Sequence, residues 1–153
     1  MKVIDFLQPR RIIPHLNART KAAALAELST HLAAQEPGVE AEPLRKVLEE
    51  RELLASTAIG DGIAIPHGKL DSVGHLVGTL GRSVEGIEFE SIDGKPTHLI
   101  FMLVAPASST GVHLKALARL SRLFRDADFR QRLLAATDGA AMYQVIADED
   151  AKY

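Results

Sequence analysis

The chain has 153 residues, 46% of them apolar and 25% charged, the balance of an ordinary globular protein and not of a disordered or membrane chain. Its formal net charge of -2 offers no basic excess to neutralise a run of phosphates, which argues against nucleic acid as a partner. With no cysteine, disulfides, zinc thiolate sites and thiol nucleophiles are excluded together.

This length predicts one domain over residues 1–153, long enough to bury a core and crowded if it held two. Residues Met1 to Arg11 contain no apolar run of signal-peptide length, and no later stretch approaches a membrane span. The expected location is the cytoplasm, without membrane insertion.

From Thr20 to Gln35, Leu25, Leu28 and Leu32 recur at spacings of three and four among alanines, an amphipathic helix that Pro37 and Gly38 end. A second helix is expected to open at Pro43 and run to about Ala55, with Leu44, Val47, Leu48 and Leu54 as its apolar positions. Arg51 follows Val47 by four, on or beside that stripe, where an unpaired charge is costly; an anionic partner is therefore expected. Between Thr57 and Val84, six glycines punctuate β-branched pieces, which reads as short strands and tight loops. The wholly apolar run Leu99 to Ala105, closed by Pro106, predicts a strand buried on both faces and hence a sheet covered by helices on each side. Ser108, Ser109 and Thr110 are N-cap candidates for a helix carrying Leu114, Leu117, Leu120, Ser121 and Phe124. Asp128 and Asp138 are expected to cap two further helices, and the acidic end Asp148 to Asp150 is expected to fray. The order predicts an α/β sandwich: a mixed β-sheet flanked by helices on both faces, without repeats.

Three residues draw attention as chemistry. His67 lies between Pro66 and Gly68 after a short apolar strand, so its backbone is restrained on one side and open to close approach on the other. His113 falls in the first turn of a predicted helix, where free N–H groups and the helix dipole favour an anion; the alternative is a partly exposed residue with no such role. Arg51 has a planar fork suited to phosphate, or else forms a structural ion pair with Asp61 or a nearby glutamate.

The string Arg51-Glu52, Ser56-Thr57 and Ile59-Gly60-Asp61-Gly62-Ile63-Ala64-Ile65-Pro66-His67-Gly68 resembles the active-site region of the fructose, mannitol and nitrogen-regulatory IIA family of the phosphoenolpyruvate phosphotransferase system. Ile92-Asp93-Gly94-Lys95-Pro96, the apolar strand to Pro106, and His113-Leu114 with Leu117 and Leu120 are similar to its second half, so the resemblance covers nearly the whole chain. It implies that His67 is the phosphoryl acceptor, through Nε2, and that His113 and Arg51 steady the phosphoryl group, with no metal and no cofactor. A phosphotransferase component of this kind takes its phosphate from a histidine phosphocarrier protein, docking through an apolar rim such as Ile59, Ile65 and Leu70.

Sugar-transport members of this branch pass phosphate to a IIB domain that carries a cysteine. This chain has none and ends soon after its last predicted helix, so the resemblance implies a regulatory subunit of the nitrogen branch. Its regulated targets would be proteins such as potassium-transport or sensor-kinase proteins. A free-standing sugar-specific IIA protein serving a separate IIB chain, and a module that regulates by contact alone, are the alternatives. A metal site on His67 and His113 lacks a further ligand at helical spacing, and a serine hydrolase lacks any Gly-x-Ser-x-Gly turn.

Overall fold

In the computed structural model, which describes residues 1–153, the regular elements are β1 (Ile12–Ile13), α1 (Lys21–Gln35), α2 (Ala41–Leu54), β2 (Ala58–Gly60), β3 (Ile63–Ala64), β4 (His67–Leu70), β5 (Val77–Ile87), β6 (Thr97–Pro106), α3 (Thr110–Phe124), α4 (Ala127–Ala135) and α5 (Gly139–Asp150). The strands form one six-stranded sheet in the order β1-β5-β6-β3-β2, with β4 also paired to β6. It is mixed: β5 runs antiparallel to β6, whereas β3 and β4 run parallel to it.

β6 explains the architecture. Its side chains alternate between faces, so Ile100, Met102 and Val104 enter one core while Leu99, Phe101 and Leu103 enter the other. The first core is closed by Leu25, Leu28 and Leu32 of α1 and Leu44 and Leu48 of α2. The second is closed by Leu120 and Phe124 of α3, Phe129 and Leu133 of α4, and Met142 and Ile146 of α5. Each such side chain contributes about 1.5–3 kcal/mol on burial, which is why the uninterrupted apolar run predicts helices on both faces correctly.

Three local expectations are corrected and a fourth is met in position only. α2 opens two residues before Pro43, at Ala41, because proline fits anywhere in a helix's first turn, where no intrahelical N–H bond is lost. Leu54 is exposed, since the helix ends there and the stripe has already turned away from the sheet. The cap of α4 is Asp126, whose carboxylate accepts from the N–H groups of Asp128 and Phe129; Asp128 lies inside the first turn. Ser109 holds the N-cap position of α3 without a side-chain capping bond, whereas Asp138 caps α5 as expected by accepting from Ala141.

The largest departure is the acidic end, which is buried and tied. The Asp150 carboxylate, fully buried, accepts from the N–H groups of Val3 (3.1 Å) and Ile4 (3.0 Å), the start of a 3₁₀ turn, and from Arg119 Nη2 of α3 (2.8 Å). Glu149 meets Arg132 Nη2 at 2.8 Å and Lys152 Nζ at 3.0 Å. Sequence position alone suggests fraying; partners 31 and 147 residues away reverse it. Asp150→Ala leaves two N–H groups without their acceptor and Arg119 with only the backbone oxygen of residue 150, an expected loss of about 3 kcal/mol read as a lowered urea midpoint. Faster hydrogen exchange at Val3 and Ile4 is expected with it.

Candidate functional site

Pro66 has no N–H to give a ladder, so the chain beside β6 is interrupted between β3 and β4. The gap is held on both sides: Ile65 N donates to Thr57 O at 3.0 Å, and Leu103 N donates to Pro66 O at 2.9 Å. His67 therefore opens β4 opposite Leu103, instead of ending a strand as the sequence suggests. Its ring is partly buried, and Nδ1 lies 2.8 Å from Ile65 O. A carbonyl oxygen only accepts, so Nδ1 carries the proton and the Nε2 lone pair is left free.

Gly68 brings a second element to the imidazole. A Cβ at this position would stand 2.6 Å from Val47 Cγ1, so only glycine lets α2 lie this closely on β4. The last turn of α2 then carries Arg51 into the same depression as His67, a cavity of about 230 Å³ whose walls include Ser56, Thr57, Leu117 and Ser121. The expected anionic partner of Arg51 does not exist. It pairs with neither Asp61 nor a glutamate; Nη1 donates to Ala55 O at 3.0 Å, beyond the end of its own helix. The side chain lies beside the buried stripe and is partly exposed, so water and the negative end of the helix dipole suffice, and the rest of its fork remains available. Neighbouring Glu52 shapes the loop that follows: its Oε1 accepts from Thr57 N at 3.1 Å and meets Lys21 Nζ at 3.0 Å.

His113 is the fourth residue of α3, and its own N–H is already bonded to Ser109 O at 2.9 Å. The side chain is 6% exposed, not a surface residue. Its ring stands edge-on to His67, with centroids 5.4 Å apart and planes at 83°. His113 Nε2 is buried with no hydrogen-bond partner, an orphan that costs free energy until something fills it. Together with Lys69, Thr110 and Leu114, the two histidines line a second cavity of about 170 Å³. Thus His67 stands between two depressions, Arg51 in one and His113 in the other.

Both imidazoles are held neutral. Burial pushes His67 below its ordinary 6.5; the Ile65 carbonyl opposes this, Arg51 reinforces it and Glu52 opposes it. Burial pushes His113 further down, to about 4, helped by His67 and Lys69. The remaining histidines serve the scaffold or the surface: His31 Nε2 lies 2.8 Å from Arg10 O, His98 Nδ1 lies 2.9 Å from Ser83 O, and His75 meets Glu36 at 3.0 Å. Of the expected apolar rim only Ile59 is exposed; Ile65 and Leu70 are 4% and 8% exposed because they face the two cores, and Leu114 of α3 supplies exposed apolar surface instead. Lys69 is legible in the sequence as the residue two beyond His67, hence on the same face of a strand. Nothing in the sequence pattern points to Ser121 or to the placement of Thr110, which depend on how α3 returns over the sheet.

The sequence and the fold have counterparts among known proteins. Residues 5–149 match the family described as "Phosphoenolpyruvate-dependent sugar phosphotransferase system, EIIA 2". A nitrogen regulatory protein of Bradyrhizobium diazoefficiens is 43% identical over 147 residues, 96% of this chain and 95% of that one. A fructose-specific EIIABC component of Bacillus subtilis is 35% identical over 98% of this chain, which spans 24% of that protein. The crystal structure of nitrogen regulatory protein IIA-Ntr from Neisseria meningitidis superposes with a TM-score of 0.87 at 29% identity, covering 93% of this chain and 97% of the other. Likeness in sequence and in fold along nearly the whole length carries one conclusion: the chain belongs to the EIIA 2 family of the phosphoenolpyruvate-dependent sugar phosphotransferase system.

Proposed function

We propose that this protein is a phosphocarrier which accepts a phosphoryl group on His67 Nε2 from a histidine phosphocarrier protein and works in the cytoplasm mainly as a regulatory subunit of the nitrogen phosphotransferase system. The observation that carries this reading is the Nδ1–H bond to Ile65 O, which leaves a neutral Nε2 between Arg51 and His113. In the transfer, the His67 Nε2 lone pair forms a P–N bond while the bond from phosphorus to the donor breaks in line. The three equatorial oxygens keep their charge and need donors. Arg51 offers its uncommitted N–H groups from one side. From the other, His113 in its Nε2–H tautomer gives the hydrogen bond for which Nε2 has no partner in the free protein.

The regulatory reading is supported by the nitrogen regulatory relatives, which this chain matches over nearly their whole length. Its targets would be regulated proteins such as potassium transporters or sensor kinases, whose affinity a dianion on the docking face would alter by repulsion and desolvation. A sugar-specific role, with phosphate passed to a separate IIB chain, has its own support in the fructose-specific relative. Offering phosphorylated protein to purified IIB chains separates the two: rapid loss of label to one of them favours the transport role.

Incubation with phosphoenolpyruvate, enzyme I and a matched histidine phosphocarrier is expected to add one acid-labile phosphate, detected by intact mass, that His67→Ala abolishes. Full labelling of that variant would discard His67 as the acceptor. His113→Ala is expected to be labelled about 100-fold more slowly, the usual effect of removing one donor to a developing anion, while an unchanged rate would make His113 scaffold only. ¹⁵N NMR is expected to find His67 protonating below pH 6.5 and His113 near pH 4. Unfolded histidines protonate near 6.5, so between about pH 4 and 6.5 the unfolded chain binds more protons than the folded one. Stability is therefore expected to fall as pH drops through that window, read as a falling melting temperature.

A further inference from the structure

A phosphoryl group on His67 places a dianion between two depressions, and the chain meets it unequally. On the α2 side Arg51 brings a full positive charge. On the α3 side His113 brings none near neutral pH, being held uncharged by burial. The one cationic side chain lining that second cavity is Lys69. Strand geometry puts it there: His67 and Lys69 are two residues apart in β4 and both partly exposed, while Gly68 and Leu70 between and after them turn inward.

Lys69 also has the bearing of a residue kept for a ligand. It forms no ion pair with any carboxylate of the protein. Its single side-chain hydrogen bond runs from Nζ to Thr110 Oγ1 at 2.9 Å, which occupies one of the ammonium's three donors. Thr110 is the first residue of α3, ahead of the first helical N–H to be satisfied, that of His113. The ammonium is thus tethered at the mouth of the His67–His113 cavity beside a helix N-terminus, with donors to spare and no competing anion.

We propose that Lys69 is a further catalytic residue of the His67 site: tethered by Thr110, its ammonium binds the equatorial phosphoryl oxygens on the side opposite Arg51. The inference rests on His67 being the acceptor. As the donor's bond to phosphorus breaks and the bond to Nε2 forms, Lys69 gives a charge-assisted hydrogen bond and keeps all its protons, so it balances the charge without taking part in proton transfer. Arg51 and Lys69 then form a two-sided clamp, and His113 supplies a neutral donor on the Lys69 side.

The test compares wild type, Lys69→Gln, Lys69→Arg and Thr110→Val in rapid-quench labelling by a matched phosphocarrier over a range of donor concentrations, with the lifetime of the phosphohistidine measured afterwards. A hydrogen bond to a charged group corresponds to about tenfold to hundredfold in rate, and Lys69→Gln is expected to lose that much in kcat. Lys69→Arg is expected to recover most of the loss, and Thr110→Val to fall between. Circular dichroism melts are expected to match wild type, since Lys69 holds no buried contact. Lys69→Gln labelling at the wild-type kcat, or losing only in KM so that the residue merely aids docking, would overturn the proposal. Wild type that takes no label on His67 would instead remove the phosphocarrier reading and this inference with it.

Discussion

Everything in this molecule hangs on β6. It is the central strand of the sheet, paired to β5 on one side and to β3 and β4 on the other, and its side chains feed both cores. A strand in that position has neither solvent face nor free edge, so its sequence is driven to continuous Val, Leu, Ile, Phe and Met. The site follows from the same constraint. Because β4 must find its register against Leu103 to Pro106, His67 is carried to the end of β6 that leads directly into α3, and His113 returns over it.

The break at Pro66 makes that frame useful for chemistry. A continuous strand in place of β3 and β4 would present a histidine to one face of a flat ladder. The interruption instead frees Ile65 O to accept from the His67 ring, which fixes the tautomer, and leaves the opposite nitrogen to the cavities. Gly68 completes the arrangement by letting α2 press in through Val47, so the end of that helix delivers Arg51 within reach. Proline and glycine on either side of one histidine thus act on different partners, one on the chain's own ladder and one on a neighbouring helix.

The electrostatics of the site are asymmetric by burial. Two imidazoles with edge-to-face rings 5.4 Å apart would repel one another if both were charged; desolvation prevents that by lowering both below their ordinary values. The positive charge resides on the longer side chains Arg51 and Lys69, whose heads stay near water at the cavity mouths. Neither is paired with a carboxylate, although the chain has 20 acidic residues. The acidic groups are employed elsewhere, as at Glu149 and Asp150, which clamp the two ends of the chain against α3 and α4.

What the sequence determined by itself is whatever depends on neighbours in the chain. The uninterrupted apolar run of β6, the leucine spacings of α1 and α2, the cap at Asp138 and the restraint of Pro66 on its surroundings all act within a few residues, and each is legible without coordinates. Tertiary structure alone decided the features whose partners are distant. It buried the acidic end, because Arg119 and the N–H groups of Val3 and Ile4 await it; it left Arg51 without the carboxylate its position seemed to demand, because α2 ends at the surface; and it set Lys69 and Thr110 on one cavity, because α3 crosses the end of β4. Local pattern reports which groups want burial or a partner; only the packed chain decides which partner each one meets, since that choice is made by contacts tens of residues apart.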